Sequence, residues 1–428
     1  MNNKLPKINV PNALASDSSI AGVYENVNEE FKMQMRFDQI YPKPLLVCSG
    51  GTTSRSAANN LWSLDLRKNF NFIEISKDRR FVEIGTGVIM ESLIKKLAKH
   101  NRSFPIGLSR STGTGYILTG GISPLSRSEG LAIDNIIEMD GIWGNGTEFK
   151  YSTPTFSANK QERLIWRALN GAAPFLAIIT KLKLKIRTIE PLIIFEAIIN
   201  EKQLKDSIKC AENWSYFSSF QWMWGDEIKI FCVFKIKHKE AREEFNRIKK
   251  DLSFVEFKRI HEISGIQEMP VFGNININES RDKYYSEVIG LLSSKWNNQT
   301  DEIVDLIGSL IKNRPNQKCC ISSQQLGGVT NKIPCESTSF IHRQAIWKPW
   351  ITASWIANDE ISRTESMLWI EDSWNKLQPI SCGIHMAQMH QHLPWNSKLG
   401  NQAFGDWLNE LKNLKTIYDP NGLLPSFL

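Results

Sequence analysis

Cysteine is scarce and badly placed for structural work. The seven residues (Cys48, Cys210, Cys232, Cys319, Cys320, Cys335 and Cys382) are odd in number and include no Cys-x-x-Cys pair, which argues against a disulfide framework and a zinc ribbon. Reduced thiols in a cytoplasmic setting are the expectation. No segment offers the roughly 18 or more apolar residues that cross a bilayer. The first 19 residues are polar and proline-punctuated, with no apolar core of a signal peptide. A soluble, unexported protein with no membrane partner is expected. Charge of one sign is not gathered anywhere: 52 basic and 45 acidic residues give a net +7 spread along the chain, and no basic stretch is interleaved with aromatics, so nucleic acid is not an expected partner. Internal repeats and low-complexity tracts are absent.

The 41% hydrophobic and 23% charged content is that of a folded chain, and 428 residues exceed one ordinary compact domain, so two or three packed units are expected. Apolar spacing over 25–39 predicts a helix, and Pro44 leads into a strand at 45–47. Strands are predicted at 61–66, 72–76 and 80–85, and an amphipathic helix at 90–99. Lys181, Lys183 and Lys185 alternate with apolar residues, the pattern of a strand with one wet face. From Pro191 the texture changes: strands such as 229–234 alternate with charged helices, predicted at 240–252 and 284–292. A final helix over 404–414 stops before the turn sequence Asp419-Pro420-Asn421-Gly422.

Phe81 to Met90 gives a strand, Gly85-Thr86-Gly87 and a helix, but the dinucleotide fingerprint needs a third glycine where Met90 stands and an acid about 20 residues on, where none occurs. A nicotinamide cofactor by that route is not expected. Two other glycine clusters, Gly50-Gly51 and Gly113 to Gly121, flank this unit. Backbone without Cβ atoms approaches a pyrophosphate closely and presents consecutive N–H groups to it, and Thr52, Thr53 and Ser54 add hydroxyl donors.

Taken in order, Val47 to Ser54, Leu64-Asp65-Leu66, Ile84 to Gly87, Tyr116 to Asn135, Trp166 to Gly171 and Ile178-Ile179-Thr180 resemble the FAD-binding domain of the berberine-bridge-enzyme-like group in the vanillyl-alcohol-oxidase superfamily. Gly327-Gly328 through Trp355 and Leu414 to Asn421 are similar to the C-terminal region of that group. The resemblance implies an α+β fold: a two-subdomain FAD-binding domain of the vanillyl-alcohol-oxidase type (1–188), a substrate domain with an antiparallel sheet (189–385), and a C-terminal segment (386–428) returning to the FAD domain. It further implies that Ser49, Gly50, Gly51, Thr52, Thr53 and Ser54 wrap the pyrophosphate. Gly107, Ser109, Gly113, Gly115, Tyr116, Gly120, Gly121, Gly130, Ile133 and Asn135 would line the cofactor, and Ile178 and Ile179 would offer backbone groups to the flavin ring.

Where relatives carry a flavin-linked histidine this chain has Thr52, and where they carry a linked cysteine it has Ser109. Neither side chain can form those links, so FAD is expected to be non-covalent and of lower potential than in doubly linked relatives. Ala172, Ala173 and Ala177 add Cβ atoms where the group has a glycine-rich run. The implied activity is an FAD-dependent oxidoreductase, oxidase or dehydrogenase, acting on a hydroxyl-bearing carbon of a small molecule, with oxygen or another compound accepting the electrons. The alternative is a degenerate member that binds flavin or ligand without turnover. His342-Arg343 also matches the group, with structural hydrogen bonding as its expected role.

His385, Gln388, His390, Gln391 and His392 bring three of the seven histidines into eight positions. Read as a strand, Gln388, His390 and His392 share one face. Gln391-His392 aligns with the flavin-side Asn-Tyr of the group, so His392, with His390 beside it, is the candidate base; imidazole suits this because its ordinary pKa of about 6.5 leaves it largely neutral at neutral pH. Histidines of a surface strand, or a zinc site for His-x-His, are the alternatives, although no further ligand stands at suitable spacing and no metal is expected. The fourteen tryptophans supply core or an aromatic pocket.

Overall fold

The computed structural model describes residues 20–53, 55–269, 284–357, 359–388 and 399–427. Near the N-terminus the helix Glu29–Arg36 is started by Asn28, whose side chain accepts from Phe31 N. It packs Phe31 and Met35 against a three-stranded parallel sheet in the order Gly22–Tyr24, Trp62–Asp65, Leu46–Cys48. The helix is shorter at both ends than its apolar spacing predicts, because Phe37 already leaves helical geometry and Asp38 turns at φ 55°.

An antiparallel five-stranded sheet follows, in the order Ile73–Ile75, Phe81–Gly85, Ala177–Lys185, Ile136–Trp143, Glu148–Ser152. Its central strand carries the lysine alternation: Leu182 and Leu184 are buried, while Lys181 and Lys183 reach Glu83 and Asp140 on the wet face.

The second layer is an eight-stranded sheet, in the order Arg259–Ile263, Leu192–Ile199, Ile228–Lys235, Ser218–Trp224, Cys320–Gln325, Trp347–Ile356, Tyr284–Leu292, Gly383–Ile384. Every pairing in it is antiparallel. The helices Glu201–Ala211, Thr300–Lys312 and Glu360–Leu377 cover one face, where Trp224 meets Gly308 and Ser366 donates to Ser354 O. The other face is turned toward the first domain.

Three expectations need correction. Tyr284–Leu292, expected as a helix, is a strand paired residue for residue with Tyr284↔Ile356 through Gly290↔Trp350; its Tyr, Val and Ile content suits a pleated surface, and the helical spacing of its apolar residues was fortuitous. The C-terminal helix is two, Leu399–Phe404 and Trp407–Tyr418, separated at Gly405 with φ 52°. The strand expected from Cys382 onward ends at Ile384 and becomes a 3-10 turn over Met386–Gln388, so alternation of faces does not carry past it.

The chain's end returns to the first domain. Asp419, 2% exposed, accepts from Leu423 N and Leu424 N and pairs with Lys415, whose ammonium also donates to Phe175 O. Tyr418 stacks on Trp143 at 3.9 Å.

Two arginines cross between the domains. Arg127 of the first domain is 5% exposed, and its guanidinium donates to Ser218 O, Leu326 O, Trp214 O and Ser215 O at 2.5–3.0 Å. Arg343 of the second is 1% exposed and grips both oxygens of Asp134 at 2.8 and 3.0 Å. Removing the Arg127 fork strands four carbonyls in a dry junction, so Arg127→Met should cost about 3 kcal/mol or more, read as a lowered urea midpoint. An unchanged midpoint would show that water replaces the guanidinium without penalty.

Candidate active site

The loop Ser49 to Thr53 leaves the strand Leu46–Cys48 and meets the second glycine cluster directly. Ser49 Oγ donates to Thr86 O at 2.7 Å, accepts from Thr114 N at 2.7 Å and lies 2.8 Å from Thr114 Oγ1. Gly50 and Gly113 touch so closely that a Cβ on either would collide with the other's backbone. Gly51 has φ 71°, the left-handed region that favours glycine. Gly115 opens the short helix Gly115–Leu118, with open space where its side chain would be. Ser54 lies outside the described residues.

Tyr116 follows in that helix, its ring under both Gly107 and Gly121. Its hydroxyl is buried without a partner, and burial pushes its pKa well above the usual tyrosine value. Gly120 and Gly121, with φ 127° and 74°, are tied back by Ile133 N→Gly120 O and Ala132 N→Gly121 O. Gly130 ends a helical turn at φ 80°. Ile133 and Asn135 are buried, Asn135 donating to Leu131 O. Ser109 is exposed and bonded to Ser111. Ile178 and Ile179 sit inside the five-stranded sheet, where Ile179 O accepts from Thr86 Oγ1 at 2.5 Å.

Opposite Gly120 stands a group of side chains that sequence reasoning did not assemble. Register places Gln221, Gln324 and Lys348 directly beside one another on three adjacent strands, Gln221↔Gln324 and Gln324↔Lys348. They occupy the face opposite the helices, since Trp222 and Trp224 alternate with Gln221 and point to the helical side. Exposure is 0%, 3% and 6% in that order. Gln221 Oε1 and Gln324 Nε2 have no partner. Lys348 has no hydrogen bond or ion pair among the described residues; its ammonium lies 4.4 Å over the Trp350 ring, and burial lowers its pKa to about 7.

His385 completes the group. Its backbone N–H donates to Gly290 O, and its Nε2 would lie 3.3 Å from a Cβ on Gly120, so it bridges the sheet and the first domain. Neither ring nitrogen makes a hydrogen bond, although Gln388 and Thr119 lie beside it. Burial holds its pKa well below the ordinary histidine range, and the charges of Lys348 and Arg55 push the same way. Arg55 donates to Met386 O at 3.0 Å, lies over the Phe175 ring, and has its pKa lowered to about 10 by burial. The expected pair His390 and His392 falls outside the described residues. His342, by contrast, bonds Gln402 O at 2.6 Å, and Arg343 holds Asp134; both are structural.

The arrangement fits FAD on two counts. Gly115, at the start of its short helix, has open space where a Cβ would stand, and orphaned polar atoms on Tyr116, Gln221, Gln324 and His385 await partners in the junction between the domains. Signals for the missed residues existed: Ser219 and Gln221 alternate with Phe220, Trp222 and Trp224, a polar stripe in an aromatic strand.

Lys348 has its folded-state pKa below the ordinary 10.5, so its burial penalty is absent above about pH 10.5, grows as pH falls, and is complete below about pH 7. Lys348→Met should therefore stabilise the protein by ~2–5 kcal/mol at pH 6 and by almost nothing near pH 10.5. Equal melting-temperature shifts at both pH values would refute this.

Residues 28–152 match the family described as FAD binding domain. The FAD-linked oxidoreductase YgaK of Bacillus subtilis (strain 168) is 22% identical over 392 residues, which covers 86% of this chain and 81% of the relative. Berberine-bridge-enzyme-like protein 1 of Physcomitrella patens superposes with a TM-score of 0.79 at 17% identity, over 97% of this chain and 92% of that one. A chitooligosaccharide oxidase superposes with a TM-score of 0.78 at 14% identity, over 99% and 96%. At these identities the superpositions speak for the fold, and the domain match speaks for the cofactor. The chain carries an FAD-binding domain over residues 28–152 and has the fold of the berberine-bridge-enzyme-like flavoproteins.

Proposed function

We propose that this protein oxidises a hydroxyl-bearing carbon of a small molecule with non-covalently held FAD, passing electrons to oxygen or another acceptor. The observation that carries the reading is the buried polar row Gln221–Gln324–Lys348 facing His385 and the Gly120–Gly121 loop. Burying so many unpartnered polar atoms is costly, and ligand hydroxyls would satisfy them. The likeness to a chitooligosaccharide oxidase supports a hydroxyl-rich substrate.

The backbone of Ser49 to Thr53 and of Gly113 to Tyr116 would hold the pyrophosphate, and Thr52 and Ser109 leave the ring unlinked. Bound FAD supplies a hydride acceptor. Gln221 and Gln324 orient substrate hydroxyls. A histidine takes the hydroxyl proton. Among the described residues our candidate is His385, kept neutral by burial and beside Gln388 and Thr119; His392 and His390 are the other candidates.

A second reading, binding without turnover, draws support from Ala172, Ala173 and Ala177, all at most 3% exposed, which fill space near the kink at Gly171. Anaerobic mixing with polyols and sugars separates the two: loss of oxidised-flavin absorbance is expected for the first reading, and its persistence with every hydroxyl compound would leave the second.

Acid precipitation of the purified holoprotein should release all FAD to the supernatant. Flavin fluorescence on the denatured band would sink the non-covalent assignment. Gly51→Val forces a branched side chain into φ 71° and should weaken FAD retention by about tenfold or more while leaving the circular dichroism of the substrate sheet in place. An unchanged FAD affinity would remove this loop from the pyrophosphate site.

A further inference from the structure

Among the described residues the site contains cations and no acid that pairs with them. Lys348, 6% exposed, and Arg55, which donates only to Met386 O and lies over Phe175, have no ion-pair partner among the described residues. Lys348 Cε would lie 3.3 Å from a Cβ on Gly290, whose carbonyl accepts from His385 N, and Arg55 bonds the carbonyl of Met386, the next residue, so both cations flank His385. Glu287 belongs to the opposite face of its strand: it pairs with Ala353 and stands three residues, an odd number, from Gly290, where Lys348 Cε and Gln388 Oε1 converge. Elsewhere in the molecule buried cations are matched. Arg343 has Asp134, Lys415 has Asp419, and Arg127 has four carbonyls. A buried lysine and a half-buried arginine held without a carboxylate cost free energy unless a ligand brings the anion. Beside them the Gln221–Gln324 row offers an unpartnered acceptor and an unpartnered donor, and Ser322 and Thr352 lie on the same sheet face by register with Met223, Trp350 and Cys320.

We propose that the substrate is a sugar acid, its carboxylate seated between Lys348 and Arg55 and its hydroxyls on Gln221 and Gln324. The inference rests on the oxidoreductase reading for the word substrate, but not for the binding itself. Lys348 must carry its proton to take the carboxylate. A carboxylate arriving there favours the protonated form, so binding draws a proton from solution as pH rises above 7. Affinity should then fall by up to about tenfold per pH unit between pH 7.5 and 9.

The matched pair D-gluconate and D-glucitol differ only in a carboxylate for a hydroxymethyl group. Calorimetric titration of the FAD-loaded protein at pH 6.5 should show gluconate bound about tenfold or more tighter than glucitol. Lys348→Met should remove that preference, lowering gluconate affinity by far more than glucitol affinity, and Arg55→Met should weaken gluconate in the same direction. Sulfate should compete with gluconate only weakly, because it brings charge without the hydroxyl pattern. Equal affinity for the two polyols would overturn the proposal, as would a gluconate affinity indifferent to Lys348→Met. Loss of FAD, rather than of gluconate, in Lys348→Met would overturn it in favour of a cation serving the cofactor. If gluconate binds as described but never bleaches the flavin, the oxidoreductase reading fails while the binding inference stands. If neutral polyols are oxidised and charge makes no difference, the reverse holds.

Discussion

Everything at the centre of this protein depends on a dry junction between two domains, and the Arg127 guanidinium is its principal fastening. One side chain from the first domain satisfies carbonyls at Trp214, Ser215, Ser218 and Leu326, which belong to the ends of strands and connections of the eight-stranded sheet. Burial lowers its pKa only to about 10, so it stays charged at neutral pH, and a charged donor makes stronger bonds to those carbonyls than a neutral one. Arg343 reaches the other way to Asp134, whose carboxylate also caps Leu131 N beside the Gly120–Gly130 segment. The two forks fix where the sheet lies over the glycine loops, and so where Gln221, Gln324 and Lys348 meet His385.

That junction concentrates the molecule's unfavourable terms. A lysine near pKa 7, an unbonded histidine and two glutamines with orphaned atoms lie within one buried region, whereas the surrounding core of Trp, Phe, Ile and Leu side chains is conventionally apolar. Groups held this way are destabilising in isolation and persist because the scaffold over-determines their positions. The same burial that penalises them leaves a bound polar ligand little competition from water.

Much of the first domain was legible in the sequence because its signals are local. The lysine alternation marked a strand, Pro44 led into another, and the two glycine clusters marked the loops that the structure brings into contact. The departures at Thr52 and Ser109 are likewise read from single positions. The second domain was less legible. Tyr284–Leu292 has apolar residues whose spacing suits either period, and only its partner strand Trp347–Ile356 settles which one applies. Past Ile384 an assumed alternation was broken by a 3-10 turn.

By itself the sequence determined the α+β class, the FAD-binding domain, the threonine and serine at positions 52 and 109 and the cluster of histidines near the C-terminus, since each is written in neighbouring residues. Only the tertiary structure decided which polar residues form the site. Arg55, Gln221, Gln324, Lys348 and His385 lie on five segments separated by 24 to 166 positions, and nothing in their local sequence couples them. Strand register aligns three of them in a row, and the domain junction brings the other two against that row. Both are products of long-range packing, in which a one-residue slip would turn each of those side chains to the opposite face.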